Sequence, residues 1–240
     1  MDYTKENRIT LETVQTQDVS RTFISKVFLW MAGALILTAI TSFLIAANFT
    51  TVLPFFVNET GVSALFWIAI FAPFALVLIM SVGVNKLPLS ALSLLFILYA
   101  VLMGVSLSFI FLTYEISSIG LAFTVTAGTF IVMAIMGYTT KADLTKFGSL
   151  LMMGLFGIII AMVVNIFMGS AMMDFVVSIL GVLIFTGLTA YDVQKLRRFS
   201  AQIGEFDNTA GKMALMGALT LYLDFINLLL FLLRIFGKRK

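Results

Sequence analysis

The sequence predicts an all-α integral membrane protein of seven transmembrane helices, and three observations carry that reading. The 240 residues are 61% hydrophobic and only 11% charged, with a mean hydropathy of +1.10, whereas a soluble domain carries about 25% charged residues. Seven apolar stretches reach or approach the ~20 residues a helical span needs: 27–47, 63–84, 89–112, 119–138, 150–168, 175–194 and 213–236. Their length and their lack of alternation favour helices over strands. The organisation read from this is a polar cytoplasmic N-terminal tail, 1–26, a membrane domain, 27–237, and a basic C-terminal tail, 238–240.

Lys and Arg orient the spans. With the N-terminus in the cytoplasm, the cytoplasmic segments hold Lys5, Arg8, Arg21, Lys26, Lys86, Lys141, Lys146, Lys195, Arg197, Arg198 and Lys212, eleven of the fifteen bases. The opposite loops, 48–62, 113–118 and 169–174, contain none and carry Glu59, Glu115 and Asp174. This is the positive-inside pattern, and it explains the net charge of +3 without nucleic acid as a partner. The seventh stretch departs from the pattern, because a complete crossing puts Arg234, Lys238, Arg239 and Lys240 on the other side. A re-entrant hairpin would avoid this, but 24 residues without a Pro are long enough to cross as one helix, so seven crossings are expected.

Absent residue types exclude chemistries. The chain has no Cys and no His, and therefore no disulfide, thiol nucleophile, Ser-His triad or His/Cys zinc site. The first 26 residues lack the apolar core and cleavage pattern of a secretory signal, so the first apolar run is expected to be retained. Small residues suggest packing faces: Gly120, Thr124 and Gly128 in the fourth span, and Gly104 and Ser108 in the third, recur at helical spacing and let neighbours approach closely. Pro73 should kink the second span, and Trp30 and Trp67 read as interfacial anchors.

Two intramembrane acids stand out, since an ionisable group in hydrocarbon needs a cavity or a partner. Asp224 lies at the middle of 213–236, and Asp192 closes 175–194. Residues three and four apart share a helix face, so Gly217, Thr220, Asp224 and Asn227 form a small, polar stripe on the seventh span. Phe185, Thr189 and Asp192 form its counterpart on the sixth. The stripe predicts an interior seventh helix. Depth separates the acids: Asp192 is roughly 5 Å from Lys195 and Asp224 roughly 18 Å from Lys212, at about 1.5 Å per residue. They meet only through tilt, through a seventh helix that begins in the cytoplasm, or across a watery vestibule. If they meet, the pair holds a shared proton and repels when it leaves, which makes it a pH switch. It would also attract a hard cation such as Ca²⁺. The bland alternative is an Asp-Asn or Asp-Thr hydrogen bond that fixes helix register.

These residues fall within longer motifs. Ala190-Tyr191-Asp192-Val193-Gln194, Leu221-Tyr222-Leu223-Asp224-Phe225-Ile226-Asn227-Leu228 with Leu233-Arg234-Ile235-Phe236-Gly237, and Met136-Gly137-Tyr138-Thr139-Thr140-Lys141-Ala142-Asp143-Leu144 resemble the Bax inhibitor-1 family, also called the transmembrane Bax inhibitor motif family, in its bacterial branch. The resemblance runs from about Arg21 to the C-terminus. It implies seven helices with the seventh central and enclosed by the other six. It also implies a pH-sensitive calcium leak whose sensor is a di-aspartyl pair matching Asp192 and Asp224. One departure is the second span, 63–84: it has no charged residue where family members carry an Arg facing the sensor, and only Asn85 and Lys86 follow it.

Other functional classes fit the same two acids. An intramembrane aspartyl protease also uses two acids on adjacent helices, but the expected Gly-x-Gly-Asp is replaced by Leu221-Tyr222-Leu223-Asp224, so no enzyme is expected. The resemblance also implies, as an alternative, a non-conducting regulator of a membrane-bound AAA protease or of cell-death partners; the polar tail 1–26 offers a surface for such a contact, though a solvated tail is the simpler reading. A proton-coupled transporter would be expected to show an inverted repeat, which is not visible. The expectation is therefore a calcium-permeable leak in a bacterial inner membrane. Its sensor and possible Ca²⁺ path is Asp192 with Asp224, and Thr189, Gly217, Thr220 and Asn227 line the same faces. No resident cofactor is called for; Ca²⁺ is the cargo and protons the regulator. The lipid bilayer is the certain partner, and oligomeric state is left open, with a monomer sufficient.

Overall fold

The computed structural model describes residues 3–58 and 61–240, with side chains described for 18–57 and 61–240. The element order is α1 (Tyr3–Ala47), α2 (Phe49–Phe56), β1 (Val57–Asn58), β2 (Gly61–Val62), α3 (Ala64–Gly83), α4 (Leu89–Ser108), α5 (Ile110–Thr113), α6 (Ile116–Thr139), α7 (Thr145–Met168), α8 (Ala171–Ser200) and α9 (Asn208–Phe236). Among the described residues, seven helical stretches are long and apolar enough to cross a membrane, one for each predicted span. Helices are the natural solution there, because hydrocarbon offers no partner to an unpaired backbone N–H or C=O. Where the sequence led us to expect a loop after the first span, the chain forms α2 and a two-residue hairpin, pairing Val57 with Val62 and Asn58 with Gly61.

Helix ends follow local chemistry. Pro88, extended at φ −68° and ψ 156°, precedes α4, where its missing N–H is not needed. Gly169 adopts the left-handed conformation, φ 61°, and its N–H closes α7 on the Asn165 carbonyl at 2.8 Å, as a glycine does past a helix end. α3 continues on both sides of Pro73.

The chain divides into two compact units, one comprising the described residues up to Leu112 with Phe199–Leu219, the other Thr113–Arg198 with Thr220–Lys240. In the first, α4 lies close on α1. A Cβ on Gly104 would stand 2.6 Å from the Thr41 side chain and 2.8 Å from the Thr38 carbonyl oxygen, and the Thr38 hydroxyl donates to the Ala100 carbonyl at 2.8 Å. Gly104 and Ser108, both buried, thus form the packing face their spacing suggested. Phe109 gathers Phe49, Phe56 and Phe66 at centroid separations of 6.0, 5.3 and 5.4 Å, tying α2 and the start of α3 to the end of α4.

In the second unit, Ile158, Val177, Phe185, Leu188, Leu228, Phe231 and Leu232 form one core between α7, α8 and α9. The other small-residue stripe does not pack as expected. Gly120, Thr124 and Gly128 are exposed, with open space around both glycines. The buried face of α6 is Ala122, Thr126, Phe130, Ala134 and Gly137, because Phe130 offers far more area to the Phe225 ring, 5.7 Å away, than a glycine ridge would.

The seventh helix does not re-enter. α9 is continuous for 29 residues, and the chain beyond it pairs with the segment preceding α6. The Glu115 N–H donates to the Lys238 carbonyl and the Lys240 N–H to the Thr113 carbonyl, both at 3.0 Å, around an antiparallel Tyr114–Arg239 bridge. The C-terminal segment therefore sits at the Ser118 end of α6, a full helix length from the basic segment that follows Thr139. These bonds hold the basic residues 238–240 against 113–115.

Candidate functional site

Asp192 lies eight residues before the end of α8, and Asp224 sixteen residues after the start of α9, roughly 12 Å and 24 Å at about 1.5 Å per residue. The early start of the seventh helix, one of the three ways for the acids to meet, is present. α9 begins four residues ahead of Lys212, and Asp207 caps it by accepting the Ala210 N–H at 2.7 Å, which holds the Asp207 carboxyl below its ordinary range.

The side chains of Asp192 and Asp224 come within hydrogen-bonding reach of one another. Asp224 is 4% exposed and Asp192 half-buried, with Lys195 as its nearby cation. No donor among the described residues reaches the buried Oδ2 of Asp224. Two ionised carboxylates in this position repel, and one is left without solvation, at a cost of several kcal/mol. A single proton held between them turns the same contact into a charge-assisted O–H···O hydrogen bond. What the geometry does chemically thus depends on that proton.

Two of the flanking polar residues bond within their own helices: the Thr189 hydroxyl donates to the Phe185 carbonyl and the Asn227 amide to the Leu223 carbonyl, each at 2.8 Å. Along the stripe, Thr189 and Gly217 are buried and Asn227 is half-buried, but Thr220, one turn from Asp224, is exposed. No group of three or more His, Cys, Asp or Glu side chains that could hold a metal occurs among the described residues. Asn85 and Lys86 are exposed beyond the end of α3.

Sequence reasoning gave no role to the residues that position Asp192. A Cβ on Gly137 would overlap the Ala190 backbone, and one on Gly148 would lie 2.5 Å from the Tyr191 ring, so α6 and α7 close on α8 beside the acid. Gln194, 4% exposed, clamps the connection between them: its amide nitrogen donates to the Ala142 carbonyl at 2.7 Å and its amide oxygen accepts the Leu144 N–H at 2.9 Å. Arg198 adds an ion pair to Asp143 at 2.8 Å. Hydrogen bonds from the Thr145 hydroxyl and N–H and from Arg198 hold the Asp143 carboxyl at about 2, below its ordinary 3.8. The two motifs at 136–144 and 190–194 are thus halves of one joint, which a single-sequence periodicity cannot reveal.

The family model for inhibitors of apoptosis-promoting Bax1 matches residues 20–240. The chain belongs to the Bax inhibitor-1 family. This family member is 42% identical over 228 residues to the inner membrane protein YbhL of Escherichia coli (strain K12), covering 95% of this chain and 96% of that one. It is 44% identical over 222 residues to an uncharacterized protein of Borreliella burgdorferi, covering 92% and 94%. Membership in the Bax inhibitor-1 family and seven apolar helices together make the chain a multi-pass membrane protein.

Proposed function

We propose that this protein is a pH-sensitive, calcium-permeable leak of an inner membrane, gated by Asp192 and Asp224. The observation that carries this reading is the meeting of the two carboxyls on α8 and α9, with the Asp224 Oδ2 buried and without a donor. With a proton between them the helices are held together. When it leaves, like charges at short range push them apart, and the freed carboxylate oxygens suit a hard cation such as Ca²⁺. The exposed Thr220, one turn away, supports access from the N-terminal end of α9.

In this reading α9 is the enclosed helix of the bundle, supported by the burial of 72% of its most apolar window, against 6–33% for the other spans. The N-terminus is cytoplasmic, on the distribution of Lys and Arg. The protein is not an enzyme, carries no resident cofactor and works in the cytoplasmic membrane of a bacterium.

The test is Ca²⁺ flux into liposomes holding the purified protein, between about pH 6 and 8, where an unperturbed carboxyl is already ionised. Flux is expected to rise with pH and to lose that dependence in Asp192→Asn and Asp224→Asn, which keep the shape but not the charge. Flux no greater than that of empty liposomes at every pH overturns the leak and leaves a non-conducting regulator.

A further inference from the structure

The end of the membrane domain opposite the basic loops presents a puzzle of charge. Four bases, Arg234, Lys238, Arg239 and Lys240, gather where the other connections carry none. Two of them line an open cleft of about 750 Å³ between α7, α8 and the C-terminal segment. We propose that this cleft binds the phosphate headgroup of an anionic phospholipid in the leaflet away from the basic loops.

The cleft is held in place by backbone. The strand 238–240 is pinned to 113–115, and the Lys238 N–H also donates to the Ser118 hydroxyl at 3.0 Å. Gly237 permits the turn, because a Cβ there would stand 2.5 Å from the Tyr114 ring. Arg239 thereby lines the cleft, and it makes no salt bridge among the described residues. Arg234 reaches Asp174 only at 3.7 Å, with the two side chains 37% and 40% exposed, a pair worth little in contact with solvent. Its guanidinium also lies 5.4 Å from the Phe231 centroid and donates to the Met162 sulfur at 3.7 Å, contacts that orient the fork and leave most of its N–H groups for a ligand. Two guanidiniums against one carboxylate leave an excess of one positive charge, matching a phosphodiester that has no cation of its own. Arginine forks suit phosphate oxygens in particular.

The surroundings are those of a lipid rather than of an ion in water. On one side, Asn165 and Ser170 supply polar atoms: the Asn165 amide oxygen accepts the Ser170 N–H at 3.0 Å, which turns its NH₂ group the other way. On the other side, Ile166 and Phe175 line the same cleft and are 77% and 50% exposed. A polar rim against exposed apolar side chains at the end of a span is where a headgroup meets its acyl chains. The site also accounts for bases retained against the positive-inside pattern, since their charge is neutralised locally.

The test uses the full-length protein in nanodiscs of phosphatidylcholine with a minor fraction of phosphatidylglycerol, and native mass spectrometry to count which lipid stays bound. The wild type is expected to retain phosphatidylglycerol above its share of the disc. Arg234→Gln with Arg239→Gln should lower that retention by about fivefold for each arginine. Asp174→Asn, which removes the competing carboxylate, should raise it, and serves if the double variant folds poorly. No enrichment in the wild type, or enrichment unchanged in both variants, overturns the proposal. So does an equal loss in Lys141→Gln with Lys146→Gln at the opposite end, which would make the preference one of overall charge. Displacement of the lipid by excess inorganic phosphate would show instead a site for the free anion.

Discussion

Gly137 and Gly148 decide how near α6 and α7 come to the acid on α8. Any side chain at Gly137 meets backbone rather than a flexible tip, so relief requires the helices to separate. Gly137→Ala is expected to destabilise the protein by about 1–3 kcal/mol, read as a lowered Tm in detergent, whereas Gly128→Ala, with open space around it, should leave the Tm unchanged. Gln194→Ala strands the Ala142 carbonyl and the Leu144 N–H together. The expected loss is about 1–3 kcal/mol, and in the liposome assay the pH profile should broaden as the Asp192 end of α8 loosens. An unchanged profile with an unchanged Tm would remove Gln194 from the site.

Among the elements, the 140–144 connection and the end of α8 are joined by two links of different kinds. The Gln194 clamp is buried and insensitive to pH. The Asp143–Arg198 pair is exposed, at 67% and 46%, and its carboxyl is held at about 2 against an ordinary 3.8. A lowered carboxyl contributes stability that is present above its unfolded value and is lost as pH falls through its folded one. The contribution of Asp143 therefore disappears between about pH 4 and pH 2. Arg198→Gln should narrow the difference in Tm measured across that window and leave the response near neutral pH untouched. A pH response near neutrality that vanished in Arg198→Gln would move the sensor from the aspartate pair to this link.

For the whole molecule, the proposed seven crossings put the termini on opposite faces of the membrane. The chain contains no Cys, so single cysteines report topology directly. Lys146→Cys and Lys240→Cys are expected to react with an impermeant maleimide from opposite sides of sealed vesicles. Labelling from one side would restore the re-entrant hairpin.

Seven apolar helices and their order were legible in the sequence, because burial in hydrocarbon demands long apolar helices. The candidate acids were legible for the same reason: a carboxyl in such a run is too costly to be incidental. The family resemblance implied their pairing, but position along the chain did not, since Asp192 and Asp224 sit at different depths along their own helices and only the early start of α9 and the packed arrangement bring them together. Spacing likewise singled out the Gly120–Gly128 stripe and not Gly137, though the stripe faces outward and Gly137 meets Ala190. Periodicity names the residues that share a face; which face is buried depends on the area and shape offered by neighbours far along the chain, and that the tertiary structure alone decides.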